Sequence, residues 1–464
     1  MNAESHTDVV KAYDGSFIKS LPLLSGAEVE TALERARAQH KAMPHGLPVR
    51  DRIDILNKLI VLMRAEADQL ALTIALEGGK PLADAKVETN RAITGVELAI
   101  SELLHLSGTE IPMGLDAASA GRLAFTTKEP IGVAVAVSAF NHPLNLIIHQ
   151  VIPAVAVGCP VIVKPAMATP LSCLRLVELL YQAGLPEAWC QACICSNEVA
   201  ETLISDPRVA FFSFIGSARV GWYLRSKLSP GTRCALEHGG VAPVIIAKDA
   251  DMEAALPKLV KGSYYHAGQV CVSVQRVFVD NALKDQFAEA FAEKVAALVT
   301  DDPVLPETEV GPLINPREVA RVGAWVDQAV DTGATCLVGG RRLSERVYAP
   351  TLLLDPSPDA DVSTKEIFGP VACVYGFDEV DHAVERANSL SVAFQAAVFS
   401  KDVKTSVQTA RNLNATAVMI NDHSAFRVDW MPFAGRKTSG LGIGGIGYTM
   451  DDLSEDKMIV LNYS

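Results

Sequence analysis

Pro160-Val161-Ile162-Val163-Lys164-Pro165 is a short run of buried-strand character closed by a lysine and a proline. Beyond it, helices and strands alternate. Residues 171–183 read as a helix stopped by Gly184-Leu185-Pro186, 192–195 as a strand, and 198–205 as a helix. Residues 210–214 read as a strand running into Ile215-Gly216-Ser217, 220–227 as a helix, and 235–236 and 244–246 as further strands. Strands that feed helices through Gly/Ser turns predict an α/β fold with a Rossmann-type, doubly wound parallel sheet, because parallel neighbours need a crossover and the crossover is a helix.

Upstream, residues 28–64 read as two amphipathic helices split near 44–48, and 65–104 as helices broken at Gly78-Gly79-Lys80-Pro81. A strand is expected at 123–128, a buried strand at 131–137 and an apolar helix at 147–157. Downstream, a second alternating region runs from 274 to about 418. Its strands include 276–279, 372–375 and 396–399, and its helices include 284–298, 318–331 and 380–388. A chain of 464 residues exceeds one ordinary core and implies two or three domains.

Composition narrows the function. Hydrophobic residues make up 49% and charged residues 20%, which is globular rather than disordered. Net charge is −13, from 41 basic and 54 acidic residues, and no Lys/Arg-rich run interrupts it, so no nucleic-acid partner is expected. The most apolar stretch, 131–163, is broken by Asn141, His142, Pro143, Asn145, His149, Gln150 and Pro153, which suits buried strands around a site and not a membrane span. The first eight residues are polar and acidic, with no export signal, and the nine cysteines are an odd number. Together these point to reduced thiols in a cytoplasmic protein. Cys190, Cys193 and Cys195 supply three thiols with no histidine close by, so no metal is expected.

Three segments carry candidate chemistry. Cys271 lies in Gly268-Gln269-Val270-Cys271, where glycine allows close approach and the cysteine's own N–H can meet the oxygen its sulfur attacks. Glu237 ends a buried strand before Gly239-Gly240, where desolvation raises a carboxylate toward useful basicity. Asn141 follows a buried strand and offers an amide donor to an oxyanion. Each also has an ordinary reading: a small core residue, a surface carboxylate, a turn asparagine. Lys164 stands at the carboxyl edge of the sheet, where nucleotides bind in doubly wound folds. Ser217, after Gly216 and before Gly221, opens a helix whose free N–H groups suit a pyrophosphate. Glu366-Ile367-Phe368-Gly369-Pro370 joins a carboxylate for a ribose diol to an aromatic ring.

The order of these segments resembles the aldehyde dehydrogenase superfamily. Phe140-Asn141-x-Pro143, Lys164-Pro165, Phe214-x-Gly216-Ser217-x-x-Val220-Gly221 and Leu236-Glu237-x-Gly239-Gly240 come first. Gly268-Gln269-Val270-Cys271, Glu366-Ile367-Phe368-Gly369-Pro370 and Met431-Pro432-Phe433-x-Gly435 with Ser439-Gly440 come after, across about residues 25–460. The resemblance implies oxidation of an aldehyde to its carboxylic acid with NAD or NADP. Cys271 would form a thiohemiacetal and then a thioester, Asn141 would hold the oxyanion, and Glu237 would activate the hydrolytic water. It implies cofactor contacts at Phe140, Lys164, Gly216, Ser217, Gly221, Glu366 and Phe368.

It further implies a dinucleotide-binding domain (1–111 and 131–239), an α/β catalytic domain (240–435) and a small β oligomerisation extension (112–130 and 450–464) serving a homodimer or homotetramer. Departures from the family pattern are Met167 three residues past Lys164, which leaves the cofactor phosphate preference open, His142, His238, Ala434, and an N-terminus that reads as lacking the usual opening strand pair. The segment around Arg427 is most similar to the lactaldehyde and phosphonoacetaldehyde dehydrogenase branch, which suggests a small aldehyde with hydroxyl or acidic groups. Arg427 either faces a substrate anion or braces its loop, and Arg91 is a second, weaker candidate. Acyl transfer to coenzyme A and a non-catalytic binding protein of the same fold are the competing readings.

Overall fold

In the strand Val133–Val137 all but the last residue is buried. Val133 and Val135 pack into one hydrophobic cluster while Ala134 and Ala136 pack into another, as the two-residue period of a strand requires. Helices Val49–Ala65, Leu82–Glu102, Asn145–Val157 and Leu171–Gln182 supply the second cluster, and Gly26–Ala42 and Asn197–Ile204 the first. A sheet covered on both faces needs apolar strands without polar alternation, which is what the sequence has.

The computed structural model describes residues 6–463. The polar opening at residues 1–5 and the outermost ends of the segments 1–111 and 450–464 lie outside the described residues. Six strands form the sheet in the order Gly440–Leu441, Arg233–Glu237, Val209–Ile215, Val133–Val137, Val161–Lys164, Cys190–Ala192. All neighbours are parallel except the Gly440–Leu441 edge pair. From Val133–Val137 the chain builds outward through Val161–Lys164 to Cys190–Ala192, then crosses back to Val209–Ile215. The order therefore reverses between Val133–Val137 and Val209–Ile215, and a crevice opens beyond their carboxyl ends.

A second sheet runs Thr335–Val338, Thr351–Leu354, Val371–Phe377, Val274–Asp280, Ala242–Ile246, Gln395–Phe399, Ala417–Ile420. It is parallel but for its first pair, and it has its own core around Val277, Phe278, Phe287, Phe291 and Val374. A three-stranded sheet pairs Ser454–Asn462 with Arg122–Pro130 over nine residues, with Glu110–Ile111 on the far side.

Two expectations change. The strand read at 192–195 is Cys190–Ala192, because the 3-10 turn Glu187–Trp189 delivers the chain to the sheet edge earlier than the apolar pattern suggests. Cys190 and Cys193 then fall into different clusters. The N-terminus does carry an opening strand pair: His6–Val10 runs antiparallel to Phe17–Pro22, reversing through Gly15 at φ +74 with the Ser16 N–H donating to Asp14. Only Val9 and Leu21 of these two strands are buried, so no apolar alternation marks them in the sequence.

Candidate active site

The chain leaving helix Met252–Tyr264 turns sharply before Cys271. His266 and Ala267 lie in the left-handed region at φ 49 and 54, followed by Gly268 at φ 69. Non-glycine residues there are strained and persist only where the surroundings hold them. Gly268 is required by space as well, since a Cβ would stand 2.0 Å from the Gly369 carbonyl oxygen. Gln269 is the anchor: its Nε2 donates to the His266 and Pro312 carbonyls, at 3.2 Å each, and its Oε1 accepts from the Ile314 N–H at 3.0 Å. The Gly240 N–H donates to the Cys271 carbonyl at 3.1 Å. Together these bonds fix the cysteine's backbone.

Asn141 reaches this loop from the end of Val133–Val137, its Nδ2 donating to the Gln269 carbonyl at 2.9 Å. A carboxamide nitrogen carries two protons, so one donor remains. Glu237 ends Arg233–Glu237, where burial pushes its carboxyl up to about 7 while the Arg427 charge pulls the other way. The Cys271 thiol is raised well above its ordinary value, first by burial and then by Glu237, with Arg427 opposing. A resting thiol beside a carboxylate poised near neutrality is a nucleophile that needs its neighbour to take its proton. Asn141, Glu237 and Cys271 line one cleft of about 1000 Å³.

The cleft begins at the sheet's reversal point and contains Phe140, Gly216, Ser217, Glu366 and Phe368. Ser217 is the N-cap of helix Ala218–Arg225 without making a capping bond, so its hydroxyl and the Ala218 and Arg219 N–H groups are open to an anion, while the Val220 N–H donates to the Ser217 carbonyl. Glu366 packs where a Cβ on Gly239 would be 1.7 Å from its Oε1. That oxygen has no partner, and burial pushes the carboxyl up to about 8. Phe140 and Phe368 meet edge to face at 5.8 Å. Volume, an open helix terminus and a carboxylate needing donors fit a dinucleotide with its ribose hydroxyls.

Two cofactor candidates sit elsewhere. Lys164 ends its strand but is buried, and the cleft wall beside it is Ala166 and Ala168. Gly221 leaves space for a neighbour, since its Cβ would lie 2.0 Å from the His238 ring, whose Nδ1 donates to the Gly216 carbonyl at 2.8 Å. His142 lines the cleft and faces the Tyr265 hydroxyl at 3.3 Å. Arg427 is half-buried in the cleft, its guanidinium 3.6 Å from the centre of the Phe433 ring, with Nε unpartnered. Arg91 also reaches the cleft but is held by Asp429.

Sequence reading misses Gln269, Tyr265 and Asp429 as builders of the site. It sees Asn145 and His149 only as breaks in an apolar run, although their four-residue spacing places them on one helix face, and both meet Asp429.

A fold of this order with such a cleft defines a two-sheet dehydrogenase architecture. The chain belongs to the aldehyde dehydrogenase family, whose profile matches residues 1–459; the family oxidises aldehydes with NAD or NADP. It is 36% identical over 413 residues to a 3-sulfolactaldehyde dehydrogenase of Priestia aryabhattai, covering 89% of this chain and 86% of that one. It is 35% identical over 460 residues to a lactaldehyde dehydrogenase of Methanocaldococcus jannaschii, covering 98% and 97%. The crystal structure of a glyceraldehyde-3-phosphate dehydrogenase from Methanocaldococcus jannaschii, complexed with NADP, superposes with a TM-score of 0.94 at 34% identity, over 100% of both chains. Among the described residues no helix is long and apolar enough to cross a membrane.

Proposed function

We propose that this enzyme oxidises a small aldehyde bearing a hydroxyl or anionic group to its carboxylic acid, with Cys271, Glu237 and Asn141 as the reacting machinery. The meeting of these three in one cleft, with Asn141 bonded to the cysteine's loop, carries the reading. Glu237 takes the Cys271 proton, the thiolate attacks the aldehyde carbon, and the free Asn141 amide proton with the Cys271 N–H holds the oxyanion. Bound NAD or NADP supplies the hydride acceptor. Collapse of the thiohemiacetal leaves a thioester on Cys271. Glu237 releases the Cys271 proton to solvent and then draws a proton from water, whose oxygen attacks the thioester carbon, and the carbon–sulfur bond breaks to free the acid and the cysteine thiolate.

Gly216, Ser217, Glu366, Phe368 and Phe140 are the cofactor contacts that the cleft favours. Lys164 and Gly221 support it from behind the wall. Arg427 is the better anion receiver, because Arg91 is committed to Asp429 while, among the described residues, Arg427 forms no ion pair. The lactaldehyde and 3-sulfolactaldehyde named for two relatives carry the same hydroxyl and acidic features.

The division into dinucleotide-binding domain, catalytic domain and extension is kept as part of this reading, with Arg122–Pro130 and Ser454–Asn462 joining subunits into a dimer or tetramer. Met458, Val460 and Leu461 leave that sheet exposed, which supports this role. All nine cysteines are unpaired, in keeping with a cytoplasmic location.

A panel of short aldehydes, neutral, hydroxylated and anionic, read by reduced-cofactor absorbance with NAD and NADP in parallel, tests the proposal. Preference for hydroxylated or anionic members supports it. Preference for neutral alkyl aldehydes overturns the substrate class, and no reduction with any member overturns the activity.

A further inference from the structure

Glu237 has two sides. One faces the substrate cleft, and the other lines a separate cavity of about 40 Å³ behind it, with His149, Gln150, Ser213, Gly444 and Thr449. Leu441 and Ile443, both exposed, form its outer rim. A space holds a water where polar groups line it and about 10–15 Å³ of such volume is available. Polar groups line one part of it, alongside apolar Phe214, Leu236 and Phe433. His149 is buried with Nδ1 unpartnered, and Gln150 is buried with Oε1 unpartnered while its Nε2 donates to Ser213 Oγ at 2.9 Å. These two buried polar atoms without protein partners belong to residues that line a cavity with room for water.

His149 is also oriented. Its other nitrogen, Nε2, lies 2.8 Å from Asp429 Oδ1. Asp429 is held ionised, against its burial, by His149 and Arg91. A carboxylate on Nε2 fixes the proton there and leaves Nδ1 as a lone-pair acceptor, the same division of labour by which an aspartate sets the tautomer of a catalytic histidine. Burial first, and then the Arg427 and Arg91 charges against the Asp429 contact, hold the His149 ring neutral at rest, its pKa down to about 4, so it carries a proton only in transit.

We propose that the cavity behind Glu237 is a water-filled proton outlet in which His149, oriented by Asp429, is the relay group. The inference rests on Glu237 being the base that activates the hydrolytic water. When that water attacks the thioester, its proton passes to Glu237. The outlet returns Glu237 to its carboxylate: the proton moves to a cavity water, is held in passing by Nδ1 of His149, and leaves past Leu441 and Ile443 to solvent. No electron is exchanged, and the relay ends each turnover in its starting state. His149 is a positioning residue here, since it touches neither substrate nor cofactor.

Two variants separate a relay from a mere strut for Asp429. In His149→Gln the amide still donates to Asp429, so a strut would be fully replaced. Thr449→Leu fills the cavity from the opposite wall and leaves both His149 and Glu237 in place. Stopped-flow cofactor reduction, steady-state kinetics and a kcat–pH profile are measured on the intact enzyme with a turned-over aldehyde.

The expected result for both variants is an unchanged burst of reduced cofactor and unchanged aldehyde KM. The steady-state rate falls on the order of ten- to a hundredfold, the low end of what a positioned proton acceptor supplies, and added small buffers restore part of it. Wild-type turnover and pH profile in both variants overturn the outlet. Loss in Thr449→Leu with full activity in His149→Gln overturns the role of His149. Glu237→Gln is the control: if it too turns over normally, the base assignment has failed, whereas a stalled Glu237→Gln beside normal His149→Gln and Thr449→Leu condemns the outlet alone.

Discussion

Arg91 grips Asp429 through two parallel hydrogen bonds, Nε to Oδ2 at 3.0 Å and Nη2 to Oδ1 at 2.7 Å. Asn145 Nδ2 donates to the same carboxylate at 3.2 Å. Since Asp429 lies two residues past Arg427, this clamp positions the segment that carries the unpaired guanidinium into the cleft. Arg91→Met strips one partner from a buried carboxylate and leaves its charge underpaired. It should cost about 3 kcal/mol of stability and raise KM for an anionic aldehyde, with cofactor KM unchanged. Denaturant unfolding and steady-state kinetics check both halves.

Arg427 should set the acid limb of activity. Burial raises the Glu237 carboxyl and the Cys271 thiol, and the Arg427 charge opposes both shifts. Glu237 works only when ionised, so rate climbs with pH through its value of about 7. Removing a positive charge disfavours the carboxylate, so Arg427→Leu should move the inflection of kcat upward by about one pH unit, and the loss of rate should be larger on the acid side of neutrality than on the alkaline side. A pH–rate profile that keeps its inflection shows that Arg427 does not act on the base.

The two chemical steps separate by mutation. Cys271→Ala should abolish cofactor reduction while nucleotide binding, monitored by protein fluorescence, is retained, because no helix terminus or ribose contact is touched. Glu237→Gln keeps the shape but neither accepts nor returns a proton. Pre-steady-state absorbance should show slowed reduction of cofactor that stops near one equivalent per site, with the acyl-enzyme detectable as added mass. Full turnover in Glu237→Gln would remove it from the mechanism.

Legibility in the sequence tracks distance along the chain. The alternation around 160–246 is local physics, strand apolarity and turn chemistry, and it reads correctly to within a residue or two at most boundaries. Cys271, Glu237 and Asn141 announce themselves through neighbours such as Gly268 and Gly239, whose missing side chains are visible in one dimension. Asp429 is different. It is a lone acid in a loop, and its importance comes from Arg91, Asn145 and His149, which lie hundreds of positions away. Lys80 pairs with Glu88 in full burial, and Glu88 in turn accepts the Leu144 and Asn145 N–H groups at the start of Asn145–Val157. Nothing in either residue's own neighbourhood signals this. Gly221 is likewise set by a contact outside its own neighbourhood: a Cβ there would meet the His238 ring, 17 positions on.

Gly268 gives the sharpest test of how the nucleophile is held. Its φ of +69 is strained for any residue with a Cβ, and that Cβ would press on the Gly369 carbonyl oxygen at 2.0 Å, a backbone atom that cannot swing aside. The loop in Gly268→Ala must therefore move, and Cys271 moves with it, three residues on. A shift near 1 Å at a reacting atom costs about a hundredfold in rate, so kcat should fall by that order, while Ser217 and its helix, on the other sheet, are undisturbed. The Asn141 bond to the Gln269 carbonyl should weaken at the same time, and the oxyanion donor is then displaced together with the thiol. Alkylation of Cys271 by iodoacetamide, read by mass spectrometry, should change rate in the variant. Unchanged alkylation and unchanged kcat would mean that the loop tolerates the methyl and that the close packing against Gly369 does not position the sulfur.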